Sequence, residues 1–222
     1  MTPSSLIFDI NETLLDMTAV KHTVARLTGS EDAVPLWFST LLHHSLVENS
    51  TDRFHNFSDI GAAALVMVCH ARQRAISMEE AKGAIVPAMT SLPAHKEVKS
   101  ALQRLRKAGF TLTALSNSAS AGLQRQLQYA DIAHAFDHVL SVEQIGIYKP
   151  NSAAYRWAVK QIGTPAGLTM MVAAHGWDTT GAKAAGLQAA FVSRPGKMPY
   201  PLGIDADITV KDIAALAAHL GA

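Results

Sequence analysis

Two hydrophobic rhythms divide the chain. In its second half, short apolar runs alternate with longer stretches in which apolar residues recur at helical spacing. FTLTALSN, HVLSV, TMMVAAH, AAFVSR and ADITV are such runs, and SLIFDI near the start belongs with them. Apolar, β-branched runs bounded by turn formers read as strands, and the stretch EVKSALQRLRKAG reads as an amphipathic helix. This alternation predicts an α/β fold with a parallel sheet covered by helices on both faces. In such sheets ligands bind beyond the carboxyl ends of the strands. Those ends carry polar groups: Asp9, then Ser116 and Asn117, then Lys149 in the loop beyond HVLSV, then His175 and Asp178.

Residues 17–91 break the rhythm. TAVKHTVARLTG, AVPLWFSTLLHHSLV, SDIGAAALVMVCHARQ and SMEEAKGAIVPAMTSL read as helices, the last two started by Ser58 and by Ser77 with Glu80. An all-helical insert at this point sits above the end of the first strand as a lid. Pro93 marks the return hinge. The expected division is a core of residues 1–16 and 92–222, with a cap of residues 17–91.

Composition narrows the function classes. Nineteen basic and eighteen acidic residues leave a net charge of +1 with no block of like charge. That pattern argues against a nucleic-acid footprint and a polybasic membrane anchor. The lone cysteine, Cys69, cannot form an intrachain disulfide, and AALVMVCHA reads as a buried helix face. A core thiol in a reducing cytosol follows. The start, MTPSS, lacks the basic residues and long apolar stretch of a signal peptide. No window approaches the roughly 20 apolar residues of a spanning helix, so the expectation is a soluble, cytoplasmic protein with no membrane partner.

The candidate chemistry begins at Asp9, a carboxylate before a turn that either projects into the crevice or caps the next helix. FDINETLLD, LSNS, YKP and AAHGWDTTGAKAAG, in that order and spacing, resemble the haloacid dehalogenase superfamily, most closely its type II 2-haloacid dehalogenase branch. The resemblance covers nearly the whole core. It implies a Rossmann-like parallel-sheet core with a small all-helical cap inserted after the first strand, and Asp9 as a nucleophile that forms an aspartyl ester. It further implies that Thr13 supports Asp9 by hydrogen bonding and that Lys149 keeps it ionised. Ser116 would bind the substrate carboxylate, Asn117 would help cradle the halide, and Asp178 would orient or activate the hydrolytic water with Lys149 or His175.

Several positions stay open between two readings. Tyr155 matches an active-site tyrosine, but core packing suits SAAYRWAVKQI equally. His175 stands where many dehalogenases have asparagine; it is a base for water, a donor to halide, or a buried histidine with no chemical role. Trp177 reads as a pocket wall, Glu12 and Asp16 as turn residues, and Ser118 as the cap of the following helix.

Asn11 decides between reaction types. Phosphatases of the superfamily have an aspartate there, which protonates an alkoxide leaving group. An amide cannot be that acid, and a departing halide needs none. An acid of the phosphatase pattern is also replaced, by Ala174. Mg²⁺ wants several oxygen ligands, so no metal and no cofactor are expected. Phe38 falls where dehalogenases commonly place a cap arginine; Arg53, His43 and His44 are the nearby cations available from the cap.

The leading reading is hydrolysis of small 2-haloacids to 2-hydroxy acids with release of halide. A Mg²⁺-dependent phosphatase and a catalytically silent binding protein are the alternatives. Dimers are common in the resembling family, and the apolar cap helices offer a contact. Periodicity alone does not separate a dimer face from a core face.

Overall fold

The computed structural model describes residues 2–222. Its six-stranded sheet has the order β3-β2-β1-β4-β5-β6, every pair parallel. The strands are β1 Ser5–Phe8, β2 Thr111–Ser116, β3 His138–Ser141, β4 Thr169–Ala173, β5 Gln188–Val192 and β6 Ile208–Val210. Helices α5 Val98–Lys107, α6 Ser120–Tyr129, α7 Ser152–Ile162, α8 Gly176–Ala184 and α9 Ile213–His219 cover it. Leu6, Ile7 and Phe8 have no exposed surface. Cover on both faces is why this run is continuously apolar.

Strand order places the site. From β1 the sheet grows through β2 and β3 to one side and through β4, β5 and β6 to the other. The order therefore reverses at β1, and such a switch point opens a crevice beyond the carboxyl ends. Ile7 pairs with Thr113 and with Met171, so the ends of β1, β2 and β4 lie level. Asp9, Asn117 and Ala174 all follow within a residue of those ends.

Between β1 and α5 come α1 Thr18–Thr28, α2 Ala33–Ser50, α3 Phe57–Ala71 and α4 Met78–Thr90. Helix α3 packs between α2 and α4, with Gly61 against Trp37 and Leu41 of α2 and Ile85 of α4, and Trp37 donates its indole N–H to Gly61 O at 2.8 Å. The two connections to the sheet run side by side: Asp16 N–H donates to Pro93 O at 2.8 Å and His95 N–H to Leu14 O at 2.9 Å. Asn49 of α2 brackets the main chain of Tyr148, accepting from its N–H at 2.8 Å and donating to its carbonyl at 2.9 Å. The helical layer is thus tied to the loop that carries Lys149.

Ser77 and Glu80 form the expected capping box of α4. Ser58 is not a cap. Helix α3 starts at Phe57 with Asn56 at the capping position, because Asn56 takes the extended conformation and Ser58 already lies in the first turn. Ser118 is likewise displaced, since Ala119 occupies the cap of α6 and Ser118 instead accepts a hydrogen bond from Asn11. Cys69 is buried on α3, where burial pushes its thiol upward. Among the described residues, no helix is long and apolar enough to cross a membrane.

Candidate active site

The turn after β1 is built around its own main chain. Asp9 N–H donates to Val172 O at 3.0 Å, extending the β1–β4 ladder by one residue. Leu14 and Leu15 N–H both return to Ile10 O, closing the turn and directing the Asp9 side chain over the crest of the sheet. Asp9 is 5% exposed. Oδ1 accepts from Lys149 Nζ at 3.0 Å; Oδ2 accepts from Thr13 Oγ1 at 2.6 Å and faces His175 Nδ1 at 3.2 Å. Thr13 is fixed in turn, its hydroxyl accepting from Ala174 N–H at 2.9 Å. Burial alone would raise the Asp9 carboxyl, but Lys149, His175 and Thr13 together hold it well below the usual carboxylate range.

Lys149 has no exposed side-chain surface. It donates to Asp9 Oδ1, to Leu115 O at 3.1 Å and to Asp178 Oδ2 at 2.7 Å, which uses all three ammonium protons. Burial pulls its pKa down; Asp178 and Asp9 more than restore it, so it stays charged. Asp178, fully buried, takes the Tyr155 hydroxyl on Oδ1 at 2.5 Å. Burial and the charge of Asp9 leave the Asp178 carboxyl above its usual range despite Lys149. Tyr155 reaches it over Gly181, where an added Cβ would meet Pro150 at 2.7 Å and Tyr155 at 2.9 Å.

Asn117 brackets Lys149 through the main chain, accepting from its N–H at 3.0 Å and donating toward its carbonyl at 3.4 Å. Ser116, 1% exposed, accepts from Ser118 N–H at 3.1 Å. Asn11 is pinned from both ends: its amide donates to Ser118 Oγ at 3.3 Å, and its oxygen accepts from Gln126 at 3.0 Å. Gln126 also donates to Met89 O of α4 at 2.8 Å.

A second charged arm runs from Asp9 in the other direction. His175 lies between Asp9 and Glu12, with Nε2 at 2.9 Å from Glu12 Oε2. Its ring is flanked by Trp177 and Phe38, with centroids at 5.1 and 5.8 Å. Burial would lower the His175 pKa, but its hydrogen bonds to Asp9 and Glu12 raise it above the ordinary value, so the two carboxylates favour the charged ring. Glu12 also pairs with Lys197, and with Lys21 at 3.3 Å. Burial opposes its ionisation, yet His175 and Lys197 bring its carboxyl down to about 2. This arm lines a cavity of about 600 Å³ whose wall includes Lys21, Trp37, Phe38, Trp177 and Lys197.

The ends of β1, β2 and β4 and the loop of Lys149 thus bring Asp9, Thr13, Lys149, His175, Tyr155 and Asp178 into one hydrogen-bonded network, with Ser116, Asn117 and Asn11 beside it. Glu12, Lys197 and Gln126 join it without having been expected. Glu12 sits in the turn but points inward, from a left-handed backbone with φ 63°. The cap cations are not where Phe38 needs one: Arg53 and His43 are exposed, and His43 packs edge-on against His44. None of the three lines the cavity. The cation over the Phe38 ring is Lys197, at 5.6 Å, and it comes from the loop after β5.

No metal-binding group of three or more His, Cys, Asp or Glu occurs among the described residues. The donor set is poor for a divalent metal, because Asp9 already accepts from Lys149 and Thr13 and Asn11 from Gln126, and Ala174 offers no side-chain oxygen. A divalent metal does not fit here.

The chain is 28% identical over 217 residues to (S)-2-haloacid dehalogenase 2 of Pseudomonas sp. strain CBS-3, covering 95% of this chain and 93% of that one. It is 26% identical to haloacetate dehalogenase H-2 of Moraxella sp. strain B, covering 97% and 96%. The L-2-haloacid dehalogenase RSc1362 superposes with a TM-score of 0.93 at 26% identity over the full length of both chains. The Xanthobacter autotrophicus L-2-haloacid dehalogenase with chloropropionic acid covalently bound has the same fold, with a TM-score of 0.91 at 20% identity over 99% of each chain. A family model described as haloacid dehalogenase-like hydrolase matches residues 4–186, and the chain belongs to that family.

Proposed function

We propose that the protein hydrolyses the carbon–halogen bond of small 2-haloacids, without a metal, through an ester on Asp9. The observation that carries this reading is an aspartate held ionised by Lys149, Thr13 and His175 beside a neutral, pinned Asn11. The nucleophile is ready, and no acid stands at Asn11 or Ala174 to protonate a leaving group. A halide leaves without one, whereas an alkoxide does not.

In the first step a carboxylate oxygen of Asp9 attacks the carbon bearing the halogen, with inversion, and the halide departs. Ser116 and main-chain N–H groups after β2 hold the substrate carboxylate. Phe38 and Trp177 wall the site, and residues 17–91 act as the cap that keeps water out of this step. In the second step water attacks the ester carbonyl, releasing a 2-hydroxy acid and restoring Asp9. His175 is the ring that touches Asp9 from the cavity side, so it handles this water. Asp178, with both oxygens engaged, acts behind Lys149 by fixing its position. The lone buried cysteine suits a cytoplasmic location.

The reading is tested by a halide-release assay with chloroacetate, bromoacetate and the two 2-chloropropionate enantiomers, with and without a chelator. The expected result is halide release, strong preference for one enantiomer, and a 2-hydroxy acid of inverted configuration, all unchanged by the chelator. Silence with every haloacid, together with chelator-sensitive phosphate release from phosphomonoesters, overturns it.

A further inference from the structure

We infer that formation of the Asp9 ester converts His175 from an imidazolium into a base aimed at that ester, so that alkylation of the nucleophile itself starts the hydrolytic step. The inference rests on the dehalogenase reading and concerns how its two steps are kept in order.

The groups facing His175 come from every side. At the end of β1 stands Asp9, 3.2 Å from Nδ1. Glu12 stands on the turn, 2.9 Å from Nε2. From the loop before α7 comes Lys149, whose ammonium holds the other oxygen of Asp9, with Asp178 of α8 behind it. Lys21 of α1 and Lys197 of the loop after β5 hold Glu12. The ring stacks against the neutral rings of Trp177 and Phe38. The charge on His175 is therefore sustained by two carboxylates and opposed by burial.

Ester formation removes one of those carboxylates. Asp9 becomes neutral, and the charge of Lys149 on its far side is no longer screened from the ring. Losing a neighbouring anion in a buried site favours the uncharged imidazole. Glu12 decides which proton is lost. Lys197 and Lys21 keep it ionised, so it goes on accepting from Nε2–H and does not take that proton. The proton released is the one on Nδ1, and it passes to water in the cavity that His175 and Glu12 line. The lone pair exposed on Nδ1 then faces the ester.

The balance closes over the cycle. Asp9 and the haloacid give ester and halide; His175 gives a proton to the cavity water. A second water then loses a proton to Nδ1 as its oxygen bonds to the ester carbonyl carbon. The acyl–oxygen bond breaks, the 2-hydroxy acid leaves with the remaining proton, and Asp9 regains its charge beside a recharged His175. One proton is released per turnover, as the hydrolysis of a carbon–halogen bond requires. Before the ester exists His175 is a donor to Asp9 and cannot activate water.

The test is an NMR titration of His175 in isotope-labelled protein, comparing the native chain with Asp9→Asn, whose amide carries the charge of the ester in nearly the same shape. The native ring is expected to stay protonated through neutral pH. In Asp9→Asn it should titrate lower by about one unit or more, and Glu12→Gln in that background should lower it further. An unchanged titration in Asp9→Asn overturns the inference. Native protein gives a second measure by rapid mixing with substrate. The halide burst should be flat across neutral pH, whereas ester hydrolysis should rise with pH to a plateau; equal pH dependence of the two steps overturns the inference as well. The titration needs no substrate. A chain that releases halide with His175 unshifted refutes this inference alone, and one that shows the shift but releases no halide refutes the dehalogenase reading.

Discussion

Asp9→Asn is expected to stop turnover, lowering kcat for halide release by on the order of 10⁵-fold or more, the scale on which loss of a covalent nucleophile registers. The variant should stay folded. Lys149 keeps Asp178 as its counter-ion at 2.7 Å, and Thr13 can still donate to the amide oxygen. Halide release and a thermal melt on the same sample separate the two effects. Activity within about tenfold of the native chain would remove Asp9 from the chemistry.

Lys149→Met should lose both activity and stability. The lysine pairs with both Asp9 and Asp178, and its side chain has no exposed surface. Without it two buried carboxylates face one charge-free space, a situation that costs about 3–5 kcal/mol when one partner of a buried pair is removed. The sign of the pH dependence follows. In the native chain the depressed Asp9 carboxyl contributes stability above its unfolded value, and this is lost as pH falls through the folded value. In the variant both carboxyls rise, so stability should be recovered as pH falls through the raised values. Lys149→Arg should not rescue it, because a planar guanidinium cannot send protons to Asp9, Leu115 O and Asp178 from that seat. Denaturant midpoints across pH check this; a variant as stable as the native chain at neutral pH would contradict it.

What could be read in advance was governed by local pattern. The strands follow from short apolar runs, and the polar residues at their ends lie at the crest of the sheet because β1 is its switch point. That places Asp9, Lys149, His175 and Asp178 together although they are distant in sequence. Glu12 was legible as a turn residue but not as a neighbour of His175, since its inward course depends on a left-handed backbone at a residue other than glycine. Lys197 carries no motif. Its seat depends on how the loop after β5 is pinned: Arg194 donates to Thr13 O at 2.8 Å, and the main chain of Tyr200 lies so near Gly176 that a Cβ there would stand 2.4 Å from its nitrogen. Sequence offers a cation for Phe38 only from the cap, whereas the cation over its ring comes from the core. The caps assigned to Ser58 and Ser118 failed for a simpler reason: a serine near a helix start does not say which residue turns extended.

The account stands most directly on where oxygen goes. One turnover is run in ¹⁸O-labelled water with enzyme in excess over a 2-haloacid, and both the 2-hydroxy acid and the peptide carrying Asp9 are weighed by mass spectrometry. An ester on Asp9, opened by water at its carbonyl carbon, predicts label in the Asp9 carboxylate and an unlabelled hydroxyl in the product. Label in the product hydroxyl with none in Asp9 would mean that water attacks the substrate directly, and would contradict the account.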